Sequence, residues 1–470
     1  MHGFNIFGFE VNTYYTEVLA KYMAGLKFED LPKEAVEQAK LITLRILGGA
    51  LEASGTAPAA AAERIAWDIS TQGTATSWVS GKRMSASAAA FVNGTAGGIL
   101  DWADSGYTGS CDAALVAAAA AIAEETGVSG REYLTALVGA YECWQRIALC
   151  VDDPAREKDP ARGSSNPGSP IFAAALAAGK MLGLRAEKLN QDMGMCVLFH
   201  KQFTNLQQAT LSDGGHFEDG WCAQGGVQAA ECIKDEAINN MTDCLDLPYS
   251  YLEPQNDAPA VEWLNRDLGG RWFISERLTK RWPAHQWLQR PLDIAYKLVK
   301  DNGIDVGKIA SITVGPAAAY HMDCRGEGWD TIAAASSSLP YCMAVSLLGK
   351  VPGIDWYVEE NRRAPAVIAL AGKIRGDGNA VGTETLAAQF LAAEARELPA
   401  CTVTITMEDG AACCGSCGER LDSAACVQET FRRQAETVLG AEKAGKLSGL
   451  VMDMEHATDL KSLGGLLARA

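Results

Sequence analysis

Two well-separated stretches of this chain carry residue types suited to proton transfer on a small anion. In KRWPAHQW, His285 follows the cations Lys280 and Arg281 and stands among the indoles of Trp282 and Trp287. A neutral imidazole beside an anion-binding pair can serve as base or acid near neutral pH. Arg281 can hold a carboxylate through two parallel hydrogen bonds, whereas Lys280 offers a point charge. The same spacing suits a plainer role, in which His285 caps the helix that begins after Trp282-Pro283. In NGTAGGILDWADSG, Asp101 and Asp104 lie three positions apart around Trp102, so both carboxylates fall on one side of a helix or tight turn. Their plain alternative is a solvated helix end. Tyr341, at the start of YCMAVSLL, is either a half-buried aromatic with a satisfied hydroxyl or, in a dry cleft, a donor to a developing enolate.

Two weaker candidates lie between these stretches. His216, in SDGGHFEDG, stands beside Glu218 and Asp219 on a glycine-rich stretch that reads as a surface loop or as a loop carrying a base into a cleft. Lys201, in FHKQFTN, is a possible second cation. His2, His200, His321 and His456 have no supporting constellation. The 14 cysteines are scattered along the chain and often sit in apolar helical contexts, which predicts reduced, buried thiols. The one close pair, Cys414 and Cys417 in CCGSC, lacks the second pair that a zinc site needs and reads as a glycine-containing turn.

The elements that must position these residues follow from pattern. Of the 470 residues 48% are hydrophobic and 21% charged, a composition that supports large buried cores in two or three domains. Net charge is −17, which excludes a nucleic-acid or anionic-membrane partner, since each needs a basic face. An anionic small substrate then needs a local cationic pocket. No run of about 18 apolar residues and no signal-peptide start appears, which predicts a cytoplasmic protein. Helical signals dominate residues 1–269: LPKEAVEQAKLITLRILGGAL starts on a proline, SGREYLTALVGAYECWQRIALC opens on a Ser/Gly cap, and SPIFAAALAAGKMLGL has Ala and Gly packing faces. No strand is expected there, and the helix MSASAAAFV is expected to fray through Gly94, Gly97 and Gly98. Over residues 270–417, β-branched runs such as KIASITVG and CTVTITME alternate with helices, predicting a smaller α/β domain. Residues 418–470 return to amphipathic helix that can pack on the first domain.

Several of these stretches, in order, resemble the MmgE/PrpD family, which includes 2-methylcitrate dehydratases, cis-aconitate decarboxylases and iminodisuccinate epimerases. The resemblance is carried by FVNGTAGGILDWAD, AIAEETGVSGREYLTALVGAYECWQRI, AAALAAGKMLGL, QGGVQAAE, LTKRWPAHQWLQRPLDIA and SSSLPYCMAVSLL. It implies a mainly α fold with a smaller α/β lid: a large all-helical domain built from both chain ends, a cleft beneath the lid, and a homodimer. It also implies chemistry on a small carboxylate metabolite without metal or organic cofactor.

Several cleft positions depart from that family. Gly98 stands where members usually have histidine, Ser110 and Cys111 where they have His-Pro, Ser164 in place of another histidine, and Gly215 near the place of a lysine. Asp101, Asp104, Lys280, His285 and Tyr341 remain. The expected function is a cofactor-independent lyase or isomerase acting on a carboxylate other than 2-methylcitrate. His285, Tyr341 and Asp101 are its expected catalytic set, and Asp104, Lys280, Arg281, Trp102, Ser164 and His216 line its substrate site, with no metal ligands. The alternative is a noncatalytic paralogue that binds a small ligand or a partner subunit.

Overall fold

Small residues set the geometry of the helical part. The computed structural model describes residues 14–70, 72–151, 170–199, 211–246, 250–252, 259–315, 317–318, 322, 324–377, 380–381, 401–417 and 424–469. Ser85 caps the helix Ala86–Gly98 by accepting a hydrogen bond from the Ala88 amide. This helix stays intact through Gly94, Gly97 and Gly98 instead of fraying, because a second helix, Glu218–Lys234, occupies the space that Gly94 and Gly98 leave, while Ile46 and Ala113 close on Gly97. A Cβ at Gly94 would stand 2.8 Å from the Asp219 carbonyl, and one at Gly220 would stand 2.5 Å from the Phe91 carbonyl. The two backbones touch, and tertiary packing overrides the low helix propensity of glycine. Asp112–Thr126 and Ile171–Met181, both rich in alanine, complete this packed group, and Gly226 lets the Glu218–Lys234 helix close onto Ala174.

Lys33–Ala53 packs on the other side of Ala86–Gly98, and Ala424–Leu439 covers it in turn. Gln434 donates to Glu52 at 2.6 Å across that contact, and Lys40 pairs with Glu455 at 2.8 Å. C-terminal residues therefore rest directly on N-terminal helices. The region first read as strand-free does contain a two-residue ladder, Ala75–Thr76 with Arg83–Met84. A turn closed by the Ser77 amide on the Lys82 carbonyl holds it, a local bond that side-chain periodicity does not report.

The α/β part is a four-stranded sheet in the order Ile374–Gly376, Ile309–Gly315, Cys401–Met407, Ala412–Cys417. Its first pair is parallel and the other two are antiparallel. CCGSC is thus part of an edge strand, not a turn, with Cys414 opposite Thr404 and Cys417 opposite Cys401. The helix Gln289–Asn302 packs on this strand so closely that a Cβ at Gly415 would stand 2.9 Å from Ile294. The glycine serves helix-on-strand contact rather than a bend. The fold is mainly α with a smaller α/β part, in two domains. Among the described residues no helix is long and apolar enough to cross a membrane.

Candidate functional site

A short antiparallel bridge brings the two chemistry-bearing stretches together. Leu278 donates to the Ser105 carbonyl at 2.7 Å and Ser105 returns the bond to Leu278 at 3.2 Å. Asp104, fully buried, then accepts from the Lys280 amide at 2.8 Å and from Arg277 at 2.6 Å, with Arg45 3.6 Å away. Arg277 also reaches Asp112 at 3.3 Å and Gln38 at 3.0 Å, and Arg45 donates to the Lys280 carbonyl at 2.6 Å. Helix Lys33–Ala53 thus supplies two polar groups that lock the 101–112 loop onto the 277–281 segment. One guanidinium serving two carboxylates leaves the second under-compensated. Burial, opposed by Arg277 and reinforced by Asp104, pushes the Asp112 carboxyl up to about 7. Asp104 is therefore an internal strut, a third outcome beside the substrate contact and the solvated helix end.

Asp101 sits at the edge of this network. Its Oδ1 lies 2.5 Å from the Lys280 ammonium, which also donates to the Asp101 carbonyl at 2.9 Å. Lys280 is 3% exposed and Asp101 30%, so the carboxylate is the side of the pair that meets a visitor. Asp101 adopts φ +52°, a left-handed conformation that costs a non-glycine residue energy and is held here by the double contact to Lys280.

The Asp101 charge is also felt by a residue that sequence reasoning passed over as a neighbour of His216. Asp219 opens the Glu218–Lys234 helix, and a Cβ at Gly98 would lie 2.7 Å from its Oδ2. Asp219 is half-buried as a whole residue, yet its carboxyl lies in the packed helix crossing and burial dominates its chemistry. Burial first, then the negative charges of Glu218, Asp112 and Asp101, raise its pKa well above the usual carboxylate range. The signal for it was present in sequence only as the pairing of a bare glycine at 98 with an acid elsewhere, which needs the fold to be seen. Cys111 beside it is fully buried, and burial, Asp112 and Asp219 push its thiol up, so it is a poor nucleophile.

His285 and Tyr341 take their plainer roles. His285 is half-buried and is the N-cap of the turn Gln286–Leu288, its Nδ1 accepting from the Trp287 amide at 3.4 Å while its own amide donates to Ser336 at 3.1 Å. With Nδ1 as acceptor, the neutral ring carries its proton on Nε2 and presents a donor there. Tyr341 is fully buried, and its hydroxyl donates to the Trp356 carbonyl. That commitment, with burial raising its pKa, takes Tyr341 out of position as an enolate donor unless the bond breaks. Tyr357, whose hydroxyl donates to Pro283, is the tyrosine that feels the Asp101 charge.

His216 is buried on the turn Asp213–Phe217, with Nε2 3.6 Å from Asp213, and not on an open loop. The turn packs against the Ala86–Gly98 helix, which removes it from solvent. Ser164, Lys201, His2, His200 and His321 lie outside the described residues. Trp102 and Arg281, expected at the substrate site, instead line a cavity of about 840 Å³ whose wall contains none of Asp101, Lys280, Asp219, His285 or Tyr341. Among the described residues the one group of side chains spaced to share a metal ion is Asp453, Glu455 and His456; Lys40 already engages Glu455, and His456 pairs with Asp453 at 2.7 Å. His456 thus has a local constellation that its sequence context did not reveal.

The family models for the MmgE/PrpD N-terminal domain and the MmgE/PrpD C-terminal domain match residues 17–242 and 282–454. The chain belongs to the MmgE/PrpD family, a family of enzymes of dehydratase and lyase type. No curated protein matches the chain at a significant level.

Proposed function

We propose that this protein is a cofactor-independent lyase or isomerase that moves a proton at the carbon beside a carboxylate of a small substrate other than 2-methylcitrate. One observation carries the reading: the Asp219 carboxyl fills the space beside Gly98, the position where the resembled family usually carries histidine, and meets the charge field of Asp101. A high-pKa acid opposite an ion-paired carboxylate is a divided acid–base pair. Asp101 takes the proton from carbon, Lys280 steadies the charge that Asp101 surrenders, and protonated Asp219 gives its proton to the departing hydroxyl, releasing water. For epimerisation Asp219 returns the proton to carbon from the opposite face. The imidazole of His285 is the proposed donor to the substrate carboxylate or the enolate oxygen.

The test is exchange of the substrate's α-proton in D₂O, followed by NMR over a panel of small hydroxy- and unsaturated di- and tricarboxylates, because exchange precedes both elimination and epimerisation. Exchange abolished by Asp101→Asn, with product formation lost in Asp219→Asn, supports the assignment; exchange undiminished in Asp101→Asn overturns it. Activity is expected to survive dialysis against a chelator, and a loss restored by one metal contradicts the cofactor-independent reading. A noncatalytic ligand-binding role draws on the internal neutralisation of Lys280 by Asp101. Thermal stabilisation by a carboxylate with no exchange supports that role. The proposed assembly is a homodimer. Exposed Leu198, Phe199 and Trp221, with Trp221 packed 4.4 Å from the Phe91 ring, supply an apolar patch for it, and light scattering at micromolar concentration tests it.

A further inference from the structure

Glu52, near the end of the helix Lys33–Ala53, gathers donors from three other stretches of the chain. Its Oε2 accepts from the Trp102 indole Nε1 at 3.3 Å and from Gln434 Nε2 at 2.6 Å. Its Oε1 accepts from the Ile354 amide at 3.1 Å and lies 3.6 Å from the Arg433 guanidinium. Glu52 and Trp102 fall in the N-terminal domain match, residues 17–242, whereas Ile354, Arg433 and Gln434 fall in the C-terminal one, residues 282–454. The Glu52 side chain is 8% exposed, so protein donors rather than solvent hold its carboxylate. Two glycines make the approach possible. A Cβ at Gly353, where φ is +135°, would overlap Glu52 Oε1, and one at Gly48 would overlap Gln434 Oε1. Bare backbone at both places lets the C-terminal half close on this one carboxylate.

The same helix grips Trp102 along one face. Arg45 lies over the indole at 5.3 Å from the ring centroid, a Cβ at Gly49 would meet its Cδ1 at 3.5 Å, and Glu52 takes its N–H. Trp102 is 1% exposed and directly follows Asp101, whose left-handed φ of +52° needs a fixed continuation of the chain. We infer that Glu52 is a positioning residue for Asp101: through the Trp102 indole it couples the docking of the C-terminal half to the conformation of the carboxylate that takes the proton. The inference rests on the proton-transfer reading of Asp101, and in that reading Glu52 touches no reacting atom. A buried indole N–H deprived of its acceptor is costly, so Trp102 shifts when the carboxylate is lost and Asp101 relaxes with it. Arg45 holds the Lys280 carbonyl at 2.6 Å, and His285 caps its own turn, both without Glu52. Substrate affinity is therefore retained while the proton step slows.

Amide hydrogen exchange of the full chain, read by mass spectrometry, tests the coupling without a substrate. Glu52→Gln keeps the size of the side chain and turns one acceptor into a donor; Trp102→Phe, the second variant, removes the indole N–H with one ring. Each is expected to speed exchange of the 101–105 amides roughly tenfold or more, while amides inside the helix Gly130–Val151 keep their rates. Arg433→Ala combined with Gln434→Leu is expected to act on the same amides from the far side of Glu52. Combining Glu52→Gln with Trp102→Phe is expected to exceed the larger single effect by less than about twofold, because both break one link. In the α-proton exchange assay, Glu52→Gln is expected to lower kcat roughly tenfold or more with KM within about threefold, a split that loss of folded protein does not produce. Unchanged 101–105 rates in both single variants, a rise shared by the whole chain, additive effects in the double variant, or a KM that rises as far as kcat falls overturns the positioning role. Failure of the Asp101 reading is separate: α-proton exchange that survives Asp101→Asn sinks that reading, while the amide rates still decide whether Glu52 fixes the segment.

Discussion

Lys280 and Arg281 are adjacent in the chain and belong to opposite electrostatic worlds. Lys280 is buried in a network in which Asp104 alone meets two guanidinium groups and a backbone amide. Arg281 is 38% exposed on the wall of a cavity and pairs with the buried Asp293. The buried network shares Arg277 between Asp104 and Asp112, so removal of any member strands another in low dielectric. On the cavity wall Arg432–Glu436 and Arg433–Glu52 lie at 3.6 Å in contact with solvent, where losing one charge costs little for folding.

The comparison is broken most severely at Asp104. Asp104→Ala leaves Arg277 and Arg45 without their shared carboxylate, and a loss of about 3–5 kcal/mol is expected in denaturant unfolding, typical of breaking a buried pair. Asp219→Asn is expected to separate chemistry from stability. The amide resembles the neutral acid, so turnover is expected to fall roughly 10²- to 10⁴-fold, the scale of a lost general acid, with the unfolding midpoint nearly unchanged. Equal loss of both would mark Asp219 as a packing residue.

A finer test uses pH. The Asp112 carboxyl has a folded pKa of about 7 against the ordinary carboxylate value of 3.8, so between these limits the folded state holds more protons than the unfolded. Its contribution is fully present below about pH 4 and is lost as pH rises to about 7, with a slope of at most about 1.4 kcal/mol per pH unit. The stability difference between wild type and Asp112→Asn is therefore expected to fall across that window and to be flat above it. A difference constant from pH 4 to 8 contradicts the raised value. The smallest effect belongs to the cavity: Lys350→Ala is expected to shift unfolding by no more than about 0.5 kcal/mol, as for a surface residue without partners.

Reading the chain alone reached the helical body, the alternation that builds the sheet, and the residues Asp101 and Lys280 that meet in the site. It also offered the cap role for His285 and the satisfied hydroxyl for Tyr341 beside their catalytic alternatives. It missed Asp219, because an acid in a glycine-rich stretch carries no local mark of burial. It placed a turn at CCGSC because glycine reports conformational permissiveness and helix contact in the same letter. Arg277 was one more cation in ERLTKRW, with nothing in the spacing to separate it from Lys280 and Arg281.

What the sequence determined by itself was periodicity and composition. Apolar repeats commit segments to helix or strand through local backbone geometry, and the excess of acids specifies a negative chain wherever it folds. What only the tertiary structure decided was which charges would be desolvated together. Gly98 and Gly94 admit a second helix, that contact buries the Asp219 carboxyl where it feels the charge of Asp101, more than a hundred positions away in the chain, and burial raises its proton affinity. Proton affinity depends on dielectric and on neighbours in space, and neither is a property of adjacent letters.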